Sequence, residues 1–203
     1  MKIICIGLNY REHVIEMGWP VPVEPVVFMK PDSSILKNNK PFFLPDFSTN
    51  IHYEAEVVLK ISKLGKGISA KYAPRYFDEI TLGIDITARD LQDRLKIAGM
   101  PWELSKCFDG AAPLGRFIPV NQIKDMSGLD FRLEINSKVV QKSNTSDMIF
   151  GFNEIIEYVS KFCTLKTGDL IFTGTPPGVG KLHRNDNLVA FLGDEPVLDF
   201  RIK

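Results

Sequence analysis

The chain has 203 residues, of which 44% are hydrophobic and 25% charged, and its twenty-five basic residues balance twenty-five acidic ones. That profile fits a single globular domain, residues 1–203, with a sizeable core and no tail or linker. A neutral balance without any Lys/Arg run interleaved with aromatics argues against nucleic acid and against an anionic membrane, and leaves a small molecule as the expected partner.

The first expected strand is Lys2 to Ile6. Its apolar run is too short for a signal peptide, so a cytoplasmic location is the expectation. Cys5, Cys107 and Cys163 are odd in number and far apart, which speaks against a disulfide framework and for a reducing compartment. Cys107 follows a lysine and reads either as a reactive thiol or, more in keeping with the residue type, as a small buried side chain. Gly18 to Pro25 carries three prolines and resists regular structure. It is either the hinge of a mobile lid carrying the residues before it, or an ordered surface loop with a packed tryptophan.

After a strand at Val26 to Met29, the run Tyr53-Glu54-Ala55-Glu56-Val57-Val58-Leu59 sets Glu54 and Glu56 on one face of a strand, because side chains two apart point the same way. A further strand, Leu82 to Ile86, gives Asp85 equally apolar neighbours. Carboxylates in such places are costly unless a cation compensates them. All three offer hard oxygen ligands and no Cys or His falls at ligand spacing beside them, so Mg²⁺ or Mn²⁺ fits better than Zn²⁺, with Ca²⁺ as a substitute. The competing reading makes Glu54 and Glu56 the solvent face of an edge strand; Asp85 tells against it.

A helix is expected from Thr87, where Thr87-Ala88-Arg89-Asp90 resembles a capping box, until Gly99-Met100-Pro101 stops it, with Leu91 and Leu95 on one face. A second runs from about Asn153, as cap, to Phe162, with Ile155, Ile156, Val159 and Phe162 at helical spacing. Strands are expected at Glu56 to Ile61, Phe131 to Ile135, Leu170 to Thr173, Leu188 to Phe191 and Val197 to Ile202. Many strands with few helices predict an α+β, mainly β domain with a rolled or barrel-like sheet, not alternating β/α winding. Thr173 to Gly180 is no nucleotide P-loop, since Lys181 is followed by Leu182.

Read in order, Gly7-Leu8-Asn9-Tyr10-Arg11-Glu12-His13-Val14-Ile15-Glu16, Glu54-Ala55-Glu56, Asp85-Ile86-Thr87-Ala88-Arg89-Asp90-Leu91-Gln92, Ser105-Lys106 and Thr173-Gly174-Thr175-Pro176-Pro177-Gly178-Val179-Gly180 resemble the fumarylacetoacetate hydrolase family. The likeness is to its compact members related to acylpyruvate hydrolases and oxaloacetate decarboxylases, and it runs from residue 3 to the last strand. Cys107 departs from the Ser or Gly that many relatives carry after the lysine. The resemblance implies a mixed β-roll, a homodimer, and Mg²⁺ or Mn²⁺ held by Glu54, Glu56 and Asp85. It implies that His13 is a general base oriented by Glu16, three residues on, and that Lys106 lies beside the metal. It gives Arg89 and Gln92 a carboxylate to grip and Thr175 a hydrogen bond to substrate. His52 is expected to support the carboxylates, and His183 to lie on the surface.

The activity implied is cleavage of a C–C bond in a small 2-oxo acid through a metal-stabilised enolate: hydrolysis of a 3-acylpyruvate to pyruvate and a carboxylic acid, decarboxylation of oxaloacetate, or both. One alternative is keto–enol isomerisation, as in an oxaloacetate tautomerase or a 2-hydroxyhepta-2,4-diene-1,7-dioate isomerase. Another is a non-catalytic protein that binds metal and a dicarboxylate. The joint presence of His13, Glu16 and Lys106 argues against that last one.

Overall fold

A six-stranded sheet in the order Val26–Lys30, Ile3–Gly7, Leu170–Phe172, Ala55–Ile61, Phe77–Ile84, Ile118–Pro119 organises the computed structural model, which describes all 203 residues. Ile3–Gly7 runs parallel to Leu170–Phe172, and the other neighbours are antiparallel. A four-stranded antiparallel sheet is built from Lys138–Asn144, Asp130–Ile135, Asn187–Leu192 and Glu195–Arg201. Two small sheets and three helices, α1 (Arg11–Glu16), α2 (Arg89–Ile97) and α3 (Phe152–Phe162), complete the mainly β, α+β architecture.

Period two along the central strands decides what each face buries. Ala55, Val57, Leu59 and Ile61 turn one way, into the main hydrophobic cluster with Ile4, Ile6, Leu82, Ile84 and Ile171. Leu133, Leu188 and Ala190 of the second sheet and Ile155, Ile156 and Val159 of α3 close that cluster from the other side. The opposite face carries a smaller cluster that includes Ile3, Cys5, Phe28, Val58, Leu170 and Phe172. At roughly 1.5–3 kcal/mol for each large apolar side chain taken from water, both faces hold the sheet in place. Apolar burial ends where Glu54 and Glu56 continue the row begun by Val58.

Local expectations yield to tertiary contacts in three places. Thr87 does not cap α2, because Thr87–Ala88 is extended and pairs with Ile51–His52. The Asp90 carboxylate instead accepts from Ser48 Oγ at 2.6 Å and from the Thr49 N–H at 2.9 Å. On α2 the buried residues are Arg89 and Gln92, while Leu91 and Leu95 are half-buried. α3 starts one residue before Asn153, where the Gly151 N–H donates to Glu154 Oε2 at 2.8 Å. Its last residue, Phe162, is 66% exposed and lies off the buried stripe.

Gly83 lies opposite Glu56, and a Cβ built there would fall 2.6 Å from Phe172 Cε1 and 2.9 Å from Val58 Cγ2. Gly83→Ala is therefore expected to overpack the smaller cluster and destabilise the fold by about 1–3 kcal/mol. The measurement is a lower denaturation midpoint at an unchanged m-value; an unaltered midpoint would mean that Phe172 moves aside freely.

Candidate active site

Strand register brings the acidic residues together. Ala55 pairs with Ile84 and Glu56 with Gly83. One step further the Asp85 N–H donates to the Glu54 carbonyl at 2.8 Å, so Asp85 lies just past its strand and faces Glu54 across the ladder. Directly opposed side chains share a face, and Gly83 adds no bulk beside Glu56. One ligand atom from each of Glu54, Glu56 and Asp85 lies within 4.8 Å of the others, and all three residues are buried.

Three buried cations answer this charge, each from a different element. Lys106, presented by the turn at Glu103–Ser105, places Nζ 2.8 Å from Glu54 Oε2 and 2.6 Å from Asp85 Oδ2. Arg89, at the start of α2, pairs through Nη2 with Glu54 Oε1, and through Nη1 it donates to Gln92 Oε1 at 2.6 Å. Gln92 keeps its amide nitrogen for the cavity. Lys30, only 2% exposed, sets Nζ 2.7 Å from Asp85 Oδ1 and donates to the carbonyls of Ile86 and Lys106. Although Lys30 is close, Asp85 Oδ1 receives no aligned hydrogen bond. Sequence reading passed over Lys30 by ending its strand at Met29. The signal was the alternation Val26, Phe28, Lys30, which places the lysine on the face of the acidic cluster.

The compensation is uneven. Burial would raise the Glu54 pKa, but Lys106 and Arg89 outweigh it and hold the carboxylate below its ordinary range. Burial likewise works to lower Lys106, yet Asp85 and Glu54 keep its pKa raised. Glu56 has no cation within ion-pair distance and feels Lys106 only from farther off; Oε2 accepts the Gly174 N–H at 2.7 Å. Burial, then Asp85 and Glu54, push its pKa well up. Hard oxygen donors that converge within 4.8 Å and a buried carboxylate, Glu56, with no cation at ion-pair distance together fit a divalent ion such as Mg²⁺ or Mn²⁺.

The opposite wall comes from α1 and from Thr173 to Gly180. Asn9, just before α1, donates to the carbonyls of Thr173 at 2.8 Å and Phe150 at 3.0 Å and accepts from the Phe150 N–H at 2.8 Å. Gly174 has φ +100, and a Cβ there would come within 2.6 Å of Asn9 Cβ, so no other residue fits so close to Asn9. Buried His13 lies on α1 with Nδ1 2.9 Å from Glu16 Oε2, as the three-residue spacing predicts, while Glu16 Oε1 accepts the Gly178 N–H at 3.1 Å. That leaves His13 Nε2 for the cavity.

The Thr175 hydroxyl is largely committed. It donates to the Ala55 carbonyl at 2.9 Å and accepts from Gln141 Nε2 at 2.9 Å, so it keeps one acceptor site for a ligand and no donor. Gln141, buried on the second sheet, also takes the Ala55 N–H at 2.9 Å; nothing in its sequence neighbourhood marks it. His52 does not support the carboxylates: its Nε2 meets Asn50 Oδ1 at 3.0 Å, and burial, then Arg89, lower its pKa. Cys107 donates to the Met29 carbonyl and burial raises its pKa, which makes it a packed thiol and not a reactive one. The cysteines are free, and His183 is exposed.

Glu54, Glu56, Asp85, His13, Arg89, Gln92, Lys106 and Thr175 all line one cavity of about 180 Å³. That is below the roughly 300–1,000 Å³ of a drug-sized site and suits a small acid.

In the ion-free protein the raised pKa of Glu56 means that its stabilising contribution is present below the ordinary carboxylate range and is lost as pH rises through the folded-state value. Glu54 has the opposite sign, and its contribution is lost only as pH falls below that range. Going from about pH 5 to about pH 8 is thus expected to enlarge the rise in thermal midpoint caused by Mg²⁺ or Mn²⁺, because the ion takes the place of the Glu56 proton. An ion-induced shift that is the same at both pH values would refute that exchange.

The fumarylacetoacetate (FAA) hydrolase C-terminal family model matches residues 2–202. The mitochondrial oxaloacetate tautomerase FAHD1 of Bos taurus is 40% identical over 202 residues, covering 100% of this chain and 90% of that protein. The mitochondrial oxaloacetate decarboxylase of Dictyostelium discoideum is 41% identical over 180 residues, 88% of this chain and 83% of that one. Among solved structures, fumarylpyruvate hydrolase from Pseudomonas aeruginosa in complex with Mn²⁺ and pyruvate superposes with a TM-score of 0.94 at 33% identity, covering 100% of this chain and 89% of that chain. The chain belongs to the fumarylacetoacetate hydrolase family.

Proposed function

We infer that residues 1–203 form a divalent-metal-dependent catalytic domain that acts on a small 2-oxo acid, with keto–enol interconversion of oxaloacetate as the leading activity. The observation that carries this is a buried carboxylate cluster with one uncompensated member, Glu56, in the same small cavity as an oriented imidazole. Relatives named oxaloacetate tautomerase, 37–40% identical across the chain, favour tautomerisation. A second reading, cleavage of a C–C bond by hydrolysis or decarboxylation, draws on the fumarylpyruvate hydrolase and oxaloacetate decarboxylase relatives.

Glu54, Glu56 and Asp85 would hold Mg²⁺ or Mn²⁺, which supplies Lewis acidity at the 2-oxo oxygen. The remaining work belongs to side chains. His13 Nε2 takes a proton from the carbon beside the 2-oxo group while Glu16 fixes the ring through Nδ1. The proton that His13 then carries is passed to the 2-oxo oxygen, which completes the keto-to-enol exchange, and the reverse transfers restore the ketone. For a 3-acylpyruvate the same imidazole deprotonates a water that attacks the distal carbonyl; the C–C bond between that carbonyl and the pyruvate carbon then breaks, the carboxylic acid departs, and the pyruvate enolate left behind takes the proton back from His13. The free amide nitrogen of Gln92 donates to the substrate carboxylate, Arg89 holds Gln92 in that orientation, and Lys106 adds positive charge beside the reacting oxygens.

A panel of 2-oxo acids, assayed with and without Mg²⁺ and Mn²⁺, tests the reading directly; no ion-dependent turnover of oxaloacetate or of any acylpyruvate would sink it. Within that panel, His13→Ala is expected to slow tautomerisation and acylpyruvate hydrolysis on the order of 10²–10⁴-fold, the usual worth of a positioned base, and to spare decarboxylation, which needs no base. An equal loss in all three would mean that His13 only orders the cavity. The family resemblance also supports a homodimer, for which light scattering at micromolar concentration should give twice the chain mass.

A further inference from the structure

One cation of the cavity has no part in the carboxylate cluster. Lys96 lies on α2 seven residues after Arg89 and four after Gln92, so the three share one stripe of the helix, about 10 Å long by the helical rise. Arg89 and Gln92 serve the carboxylate end. Lys96 lines the same cavity at its other end, with Trp19 and Trp102. Its Nζ stands 5.3 Å from the Trp19 ring centre and 5.9 Å from that of Trp102. The Trp102 ring in turn meets Phe28 edge-on at 5.1 Å, and Phe28 lies under Lys106. An aromatic wall thus runs from the carboxylate cluster to Lys96.

The ammonium is half-buried and has no carboxylate of the protein within ion-pair distance, unlike Lys30, Arg89 and Lys106. Burial, then Arg89 and Lys106, press its pKa down against the smaller opposing pull of Asp93 and Glu54. A cation held between two indoles, with other cations behind it, is a receptor for an anion arriving through the cavity. A 2-oxo monoacid has its carboxylate and ketone at the metal end and offers Lys96 nothing. We propose that Lys96 reads the second carboxylate of a 2-oxo diacid, which makes it the residue that sets the preference of this cavity for diacids over monoacids. This rests on the reading of the Glu54, Glu56 and Asp85 cavity as a 2-oxo acid site.

The test uses magnesium-loaded protein and ligand-observed NMR with two near-isosteric pairs that differ by one carboxylate, 2-oxoglutarate against 2-oxopentanoate and oxaloacetate against 2-oxobutanoate, with pyruvate as a probe of the metal end alone. The parent is expected to prefer the diacid of at least one pair by roughly 10–100-fold. Lys96→Met, which keeps the stem and removes the charge, should bring that ratio close to one, and Lys96→Arg should restore most of it. Because each ratio is taken within one variant, a general loss of stability does not imitate the effect. A parent that binds pyruvate but has no diacid preference, or a preference that survives in Lys96→Met, overturns the role of Lys96 and leaves the 2-oxo acid site standing. A parent that binds none of the five ligands overturns both.

Discussion

Charge balance across one pair of antiparallel strands is the constraint on which the rest of the structure depends. Glu54, Glu56 and Asp85 share a sheet face next to apolar rows that exclude water, and isolated carboxylates there would not stay ionised. Their partners come from separate parts of the chain: Lys30 from the edge hairpin, Arg89 from α2, Lys106 from the turn after it. Removing one member of such a buried pair typically costs 3–5 kcal/mol, because the other is left unpaired. The cluster therefore fixes the positions of three elements at the same time as it shapes a site.

The parts legible in the sequence were those set by short-range periodicity. A two-residue spacing put Glu54 and Glu56 together and an aspartate among aliphatics marked Asp85 as out of place, while the pairing of His13 with Glu16 came from the family resemblance. The parts that stayed hidden were set by register between distant strands. Gln141 looks like an ordinary polar residue until pairing turns it inward, and Lys30, although its alternation with Val26 and Phe28 marks its face, meets Asp85 only once the sheet has formed. The expected cap at Thr87 and the expected support from His52 failed for a related reason. Both residues belong to a short pairing, Thr87–Ala88 with Ile51–His52, whose hydrogen bonds outweigh what either residue would do locally.

The wall that carries His13 and the carboxylate wall are not independent. Glu16 links His13 to Gly178, Gly174 links Glu56 to the same loop, and Asn9 closes the gap between them. A small shift of the loop would move the imidazole and the Glu56 carboxylate together, so their separation is held by a short path of hydrogen bonds. Away from the carboxylates the lining of the cavity changes from ionic to aromatic, through Phe28, Trp102 and Trp19.

The sheet order also fixes when the site can come into being. Leu170–Phe172 is the only strand joining the amino-terminal hairpin of Ile3–Gly7 and Val26–Lys30 to the Ala55–Ile61 and Phe77–Ile84 pair. During synthesis, at about 5–20 residues per second, the two halves of the sheet exist for several seconds before that strand leaves the ribosome. In that interval Asp85 lacks Lys30, and Glu56 lacks the Gly174 N–H. Sheet closure of such high contact order is intrinsically slow, so the nascent chain passes through a stage with open strand edges and no working site, when chaperones have most to protect.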